Sequence, residues 1–276
     1  MESSSPLERI LDVLAKVNVP SVDNGVQFTV SDRIEAVRSI LAGSLYRELK
    51  ADGVSYIFAH ESFDPSEETF IISCHADAVY QRYFCKDTGE DELLGTLDNS
   101  ICNAVLLECM IRGALPGNWL VAFTGDEEDL LRGADETAEY LISKMKLEGR
   151  LGFALVLDVT AEGYDSQNYT VENLFVSEDQ SHARRFTDVK ALEDHIRTIV
   201  GDEVLAIPDA AEDEAWGYDE WDLNCISLCI PVRPAAPAAD EYFAHWMHSD
   251  EGIAVKKSAV VGYSRALEMI CIRLPG

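Results

Sequence analysis

The sequence predicts an α/β fold, a three-layer α/β/α sandwich in which helices cover both faces of a mixed, mostly parallel central sheet. Three observations carry this expectation. Short apolar runs of strand length recur along the chain, as in a sheet buried on both faces. Stretches with apolar positions at helical spacing lie between them, the alternation that builds layered α/β domains. With 276 residues, 47% of them hydrophobic and 26% charged, there is material for one large core, and the chain is too apolar to be disordered.

Taken in order, residues 6–17 and 32–50 carry helical periodicity, the second through Ile34, Val37, Ile40, Leu41 and Leu45, so the chain is expected to open with two helices. Apolar runs at 54–59 and 69–74 read as strands, 99–113 as a helix, 118–124 as a strand, 128–147 as a helix and 152–158 as a strand. Strands at 171–176 and 203–207 flank a helix at 187–200. A strand at 225–230, a helix at 252–267 and a closing strand at 269–273 complete the pattern. The Pro234–Pro237 stretch reads as a surface loop, and no repeat or linker interrupts the chain. Residues 1–276 are therefore expected to form a single domain.

Charge narrows the function. Fifty acidic against 22 basic residues give a formal charge of −28, a field that repels phosphate backbones and anionic headgroups. Nucleic acid and membrane surfaces are thus not expected partners, and the acidity itself reads as a solvated surface. No apolar stretch has membrane-spanning length, and the N-terminus lacks the basic region and cleavage pattern of a secretory signal, so a cytoplasmic location is expected. The seven cysteines follow no disulfide framework and read as reduced core thiols; Cys225 and Cys229, at half a zinc-knuckle spacing, read as core packing.

The polar residues that stand out fall where predicted strands end, the edge at which open α/β sheets place their ligands. After strand 69–74 comes His75-Ala76-Asp77, an imidazole able to bind a metal with a carboxylate able to orient it. The plainer reading is a surface pair at a strand end. Asp98, in Gly95-Thr96-Leu97-Asp98-Asn99-Ser100, sits where a helix cap belongs, or else bridges two cations with its two oxygens. Strand 118–124 runs into Asp126-Glu127-Glu128-Asp129. Acids suit a helix start for dipole reasons, yet neighbouring glutamates point apart, so one can bind a cation while the other serves as a base. Asp158 closes an apolar strand, where a carboxylate is costly unless it caps, pairs or binds a cation. Late in the chain, His245 and His248 precede the last helix.

Each piece alone has a plain structural explanation; their order is the signal. HADAV (75–79), GTLDNS (95–100), FTGDEEDLLRGA (123–134), LDVT (157–160) and HSDEGIAV (248–255) together resemble the co-catalytic di-zinc exopeptidase superfamily, the aminopeptidases and amidohydrolases, over about 180 residues. The resemblance implies two zinc ions per chain, with cobalt or manganese able to take similar ligands. It assigns His75, Asp98 and Asp158 to one ion and Asp98, Glu128 and His248 to the other, with Glu127 as general base and Asp77 orienting His75. The reaction implied is hydrolysis of a peptide or small amide, most of all by an aminopeptidase; the alternatives are an N-deacylase acting on small acylated amines and a non-catalytic peptide-binding relative. The stretch Asp213–Val232 also resembles the approach to the family's last ligand.

The chain departs from the superfamily in two ways. Only 22 residues separate His75 from Asp98, leaving no room for the inserted domain of the self-compartmentalising branch. The 89 residues between Asp158 and His248 are taken up by predicted core elements, leaving none for the dimerising lid of the deacylase branch. A bare catalytic core is expected, with its oligomeric state open. The long approach Pro234–His245 keeps His245 as a rival to His248. Glu162 or Asp213 is a candidate to hold a substrate amine, and Trp216, Tyr218, Trp221 and Trp246 are candidates to line an apolar pocket.

Overall fold

The computed structural model describes residues 4–20, 22–23, 28–29, 31–128, 130–165, 169–172, 194–201, 204–207, 213–235 and 247–273. Helix α1 (Pro6–Val17) begins at a capping box. Ser5 Oγ accepts from the Glu8 N–H, the Glu8 carboxylate accepts from the Ser5 N–H, and Pro6 takes the first turn, where no N–H is needed. Its buried stripe is Ile10, Val13, Leu14 and Val17. A two-stranded ribbon, β1 (Val22–Asp23) and β2 (Phe28–Thr29), leads to α2 (Ser31–Leu41).

Eleven strands form one sheet: β3 (Tyr46–Asp52), β4 (Ser55–His60), β5 (Thr69–His75), β6 (Cys85–Asp87), β7 (Glu92–Gly95), β8 (Trp119–Thr124), β9 (Leu151–Thr160), β10 (Tyr169–Glu172), β11 (Val204–Ile207), β12 (Cys225–Pro234) and β13 (Ile253–Lys256). The helices are α3 (Ser100–Ile111), α4 (Arg132–Glu139) continued by a π-helical turn (Tyr140–Lys144), α5 (194–200), α6 (Ala215–Asp219) and α7 (Lys257–Arg273). The four central strands, in the order β8-β5-β9-β12, run parallel. Antiparallel strands flank them: β4 and β3 beyond β8, and β13, β7 and β6 beyond β12. The outer edge of β12 is shared, since Ser227–Cys229 pair with β10 and Val232–Pro234 with β13.

Alternation along the central strands sorts side chains into two cores. Phe70, Ile72 and Cys74 of β5 join Val121 and Leu155 under α1, α2, α3 and α7. Ile71 joins Leu120, Ala154 and Val156 under α4 and α6. The three-layer sandwich read from the sequence is therefore present, with helices on both faces. All seven cysteines are free thiols; six are buried and Cys85 is exposed on β6, outside the core role expected of it.

Several elements differ from the sequence reading. The helix expected over 32–50 ends at Leu41: Gly43 turns the chain at φ +80°, and Tyr46–Asp52 pairs with β4 as an edge strand. The helix expected over 128–147 starts only at Arg132, after a loop. Ile253–Lys256, expected to open a helix, is a strand held between β12 and β7. The expected closing strand 269–273 is instead the end of the 17-residue α7, where Leu267, Ile270 and Cys271 are buried at helical spacing and the Cys271 carbonyl accepts from Trp119 Nε1. Short apolar runs do not by themselves distinguish helix from strand. Of the strand expected at 171–176 and the helix at 187–200, residues 173–176 and 187–193 lie outside the described residues. Among the described residues, no helix is long and apolar enough to cross a membrane.

Gly252 ties β13 to β7. It sits at φ +83°, and a Cβ there would come within 2.5 Å of the Gly95 carbonyl oxygen. Both facts exclude a side chain at no cost, and the clashing atom is backbone. Gly252→Ala should therefore lower unfolding free energy by about 1–3 kcal/mol, read as a shift of the urea midpoint at unchanged m-value.

Candidate active site

Strand register places the site. His75 of β5 pairs with Thr124 of β8, so Asp126, Glu127 and Glu128 emerge just past the level of His75. Ser73 pairs with Val156, which puts Asp158 level with His75 on the other side. The β7–β13 pairing matches Gly95 with Ile253, bringing the turn after β7, which holds Asp98, beside the turn before β13, which holds His248. Five segments distant in sequence thus converge at the carboxyl edge of the parallel strands.

The convergence is close. His75 Nε2 lies 3.2 Å from Asp98 Oδ1, 3.5 Å from Asp158 Oδ1 and 4.0 Å from Glu127 Oε2. His248 Nε2 lies 2.9 Å from Glu128 Oε2 and 3.8 Å from Asp98 Oδ2. The two oxygens of Asp98 therefore face different imidazoles. His75, Asp98 and Asp158 present ligand atoms within 4.8 Å of one another, as do Asp98, Glu128 and His248. Behind them, Asp77 Oδ1 is 3.3 Å from His75 Nδ1, while its Oδ2 accepts from the Glu128 N–H at 3.3 Å. All seven residues singled out from the sequence are brought together. His245 lies outside the described residues.

The charges do not balance. Asp77, Asp98, Glu127, Glu128 and Asp158 face two imidazoles in a setting where His75, Asp77, Asp98 and Asp158 are buried. Burial, reinforced by Asp158, Glu128 and Asp77 against the pull of His75, holds the Glu127 pKa well above the usual carboxylate range. Burial also raises Glu128 and Asp158. For His75, burial opposes the charged form, but the field of Glu127 and Asp158 outweighs it and pushes the imidazole pKa well up. Glu128 Oε1 is buried without a hydrogen-bond partner, an expensive state for a carboxylate oxygen, and Asp98 Oδ1 is buried with the His75 imidazole before it. Three carboxylates and two imidazoles gathered in two groups that have Asp98 in common fit divalent cations of the zinc type.

Asp98 does not cap α3. The cap position is Asn99, which makes no side-chain capping bond but donates from Nδ2 to the Leu157 carbonyl at 2.7 Å. Asn103 Nδ2 donates to the His75 carbonyl at 2.7 Å, and the Cys102 thiol to the Asp158 carbonyl at 3.2 Å. One turn of α3 thus braces the ends of β5 and β9. Asp126, at φ +63°, is paired with Arg132, and Asp129 lies outside the described residues.

The residues considered for a substrate pocket fare differently. Asp213 is buried and engaged: Oδ1 accepts from the Ala215 N–H and Oδ2 from Ser227. Glu162 is exposed, as is Trp216. Tyr218 is core and donates to Ser73 Oγ, Trp221 donates to Asp135, and Trp246 lies outside the described residues. Sequence reasoning gave no role to Glu214, which accepts from Ser73 one pleat below His75; burial holds its pKa up at about 7 against His75, Thr124 and Ser73. A carboxylate beside Asp213 in an acidic stretch carries no signal of being buried.

The fold has close counterparts among solved structures. The aminopeptidase APDkam598 from the archaeon Desulfurococcus kamchatkensis superposes with a TM-score of 0.67 at 10% identity, over 97% of this chain and 95% of that one. Aminopeptidase PepT from Bacillus cereus gives 0.65 at 9% identity over 96% and 97%, and the Pyrococcus horikoshii TET1 peptidase 0.64 at 11% over 95% and 99%. Likenesses this remote in sequence establish the shared fold. No curated protein matches the chain in sequence. The model of peptidase family M28 matches residues 56–210, more than half of the chain, and takes in His75, Asp77, Asp98, Glu127, Glu128 and Asp158. The chain belongs to peptidase family M28 and is a peptide-bond hydrolase by that membership.

Proposed function

We propose that this peptidase is a di-zinc aminopeptidase. The observation that carries the reading is the shared carboxylate: Asp98 turns one oxygen to His75 and the other to His248, while Glu128 Oε1 is buried without a hydrogen-bond partner. Family membership and the aminopeptidases among the fold's counterparts support it. His75, Asp98 and Asp158 would hold one zinc ion, and Asp98, Glu128 and His248 the other. Bound zinc supplies Lewis-acid chemistry, polarising the scissile carbonyl and making water nucleophilic near neutral pH.

The remaining work falls to the chain. Glu127, whose Oε2 lies 4.0 Å from His75 Nε2 at the edge of the cluster, would accept a proton from the attacking water and return it to the departing amine. The products are then a free carboxylate and a free amine, with the proton accounted for. Asp77 holds the His75 ring through Nδ1, leaving Nε2 to face the shared carboxylate, and also holds the Glu128 backbone, so one carboxylate orients a residue of each ligand set. A peptide with a free N-terminus is the proposed substrate.

Three measurements test this. Glu127→Gln should keep about two zinc ions per chain by elemental analysis, while hydrolysis falls by about 10²–10⁴-fold; a metal-free wild-type chain in zinc-supplemented buffer would overturn the reading. Aminoacyl anilides should be cleaved and N-acyl amino acids left intact, the reverse result assigning an N-deacylase. Stripping the metal with a chelator should lower thermal stability, and free zinc at about 100 times Kd should restore about 2.7 kcal/mol.

A further inference from the structure

The two ligand sets are supported by different means. His75 and Asp158 sit on central strands braced by α3, whereas His248 belongs to a turn outside the parallel sheet, and its side chain is 36% exposed. Residues 80–82, just after the His75–Asp77 stretch, grip this turn. Tyr80, 6% exposed, donates its hydroxyl to the Met247 carbonyl at 2.7 Å, and the same oxygen accepts the Asp98 N–H at 3.3 Å. The N–H groups of Gln81 and Arg82 donate to Asp250 Oδ1 at 2.8 and 3.2 Å, and Arg82 Nη2 donates to the Asp250 carbonyl at 2.7 Å. The Tyr80 ring is itself fixed, packing edge-on against Tyr83, over which the buried Arg33 guanidinium lies.

One hydroxyl therefore joins the backbone of the shared carboxylate to the residue before His248. We propose that Tyr80 is a positioning residue that sets the spacing between Asp98 and His248, with the Asp250 clamp holding the same turn from its other side. The inference rests on the zinc-ligand assignments of the proposed function. Tyr80 is bonded to the backbone of Met247 and Asp98, so its removal should disturb the set containing His248 far more than the one containing Asp158.

The test is zinc binding by the full chain, measured as stepwise dissociation constants in competition with a chromophoric chelator. The step belonging to His248 is identified as the one abolished by His248→Ala. Tyr80→Phe should weaken that step by about 10- to 100-fold and leave the other near its wild-type value. Asp250→Ala should weaken the same step to a smaller degree. Tyr140→Phe, which loses a hydroxyl bond to the Leu49 carbonyl outside the site, should change neither. Should Tyr80→Phe fail to fold, Asp250→Ala decides by the same criterion. Unchanged constants, or equal weakening of both steps together with a lower melting temperature, would overturn the role given to Tyr80. A wild-type chain that binds no zinc pair overturns the ligand assignments, and the proposal with them.

Discussion

The mutual repulsion of carboxylates gathered in a buried place is the constraint from which the rest of the site follows. Asp77, Asp98, Glu127, Glu128 and Asp158 lie around two imidazoles, and burial raises the pKa of three of them. Such a cluster stays assembled only where the scaffold holds it. Three parallel strands ending level, an α3 turn donating to the backbones of His75, Leu157 and Asp158, and Asp77 bonded to both His75 and Glu128 are the means. Cations would relieve the repulsion that this scaffold contains, and the cost of holding the acids together would then reappear as affinity for metal.

The different surroundings of Glu127 and Glu128 show how backbone geometry separates chemically identical side chains. Both follow β8 on a loop that begins with Asp126 at positive φ, tied down by its pairing with Arg132. The Glu128 N–H is captured by Asp77 and its carboxylate by His248. Glu127 is left on the His75 side, close to Asp158, where burial and neighbouring acids favour its protonated form. Adjacent residues thus come to face different neighbours, the arrangement on which the proposed ligand and base roles rest.

Much of this was legible in the sequence, and the limits have physical causes. The central strands could be read because each is a short apolar run, and β5, β8 and β9 end in the polar residues that an α/β sheet gathers at one edge. Of the antiparallel flanks, β4 was legible and β3, β6, β7 and β13 were not. Cys85–Asp87 is short and polar, Ile253–Lys256 has no alternation distinguishing it from a helix start, and both are strands only because neighbours supply their hydrogen bonds. The second layer of the site was equally silent. Tyr80, Asn103 and Glu214 act through bonds to distant backbone or side-chain groups, and nothing in their local sequence marks such partners.

The flanking strands carry one more implication. Asp98 and His248 are borne by β7 and β13, and β13 is stitched to β12 by three residue pairs, Val232–Val255, Arg233–Ala254 and Pro234–Ile253. The parallel block and this small wing therefore meet along a narrow seam, and the shared carboxylate straddles it. The separation of the two imidazoles is therefore set across this junction, by how β13 pairs with β12 as much as by either half alone.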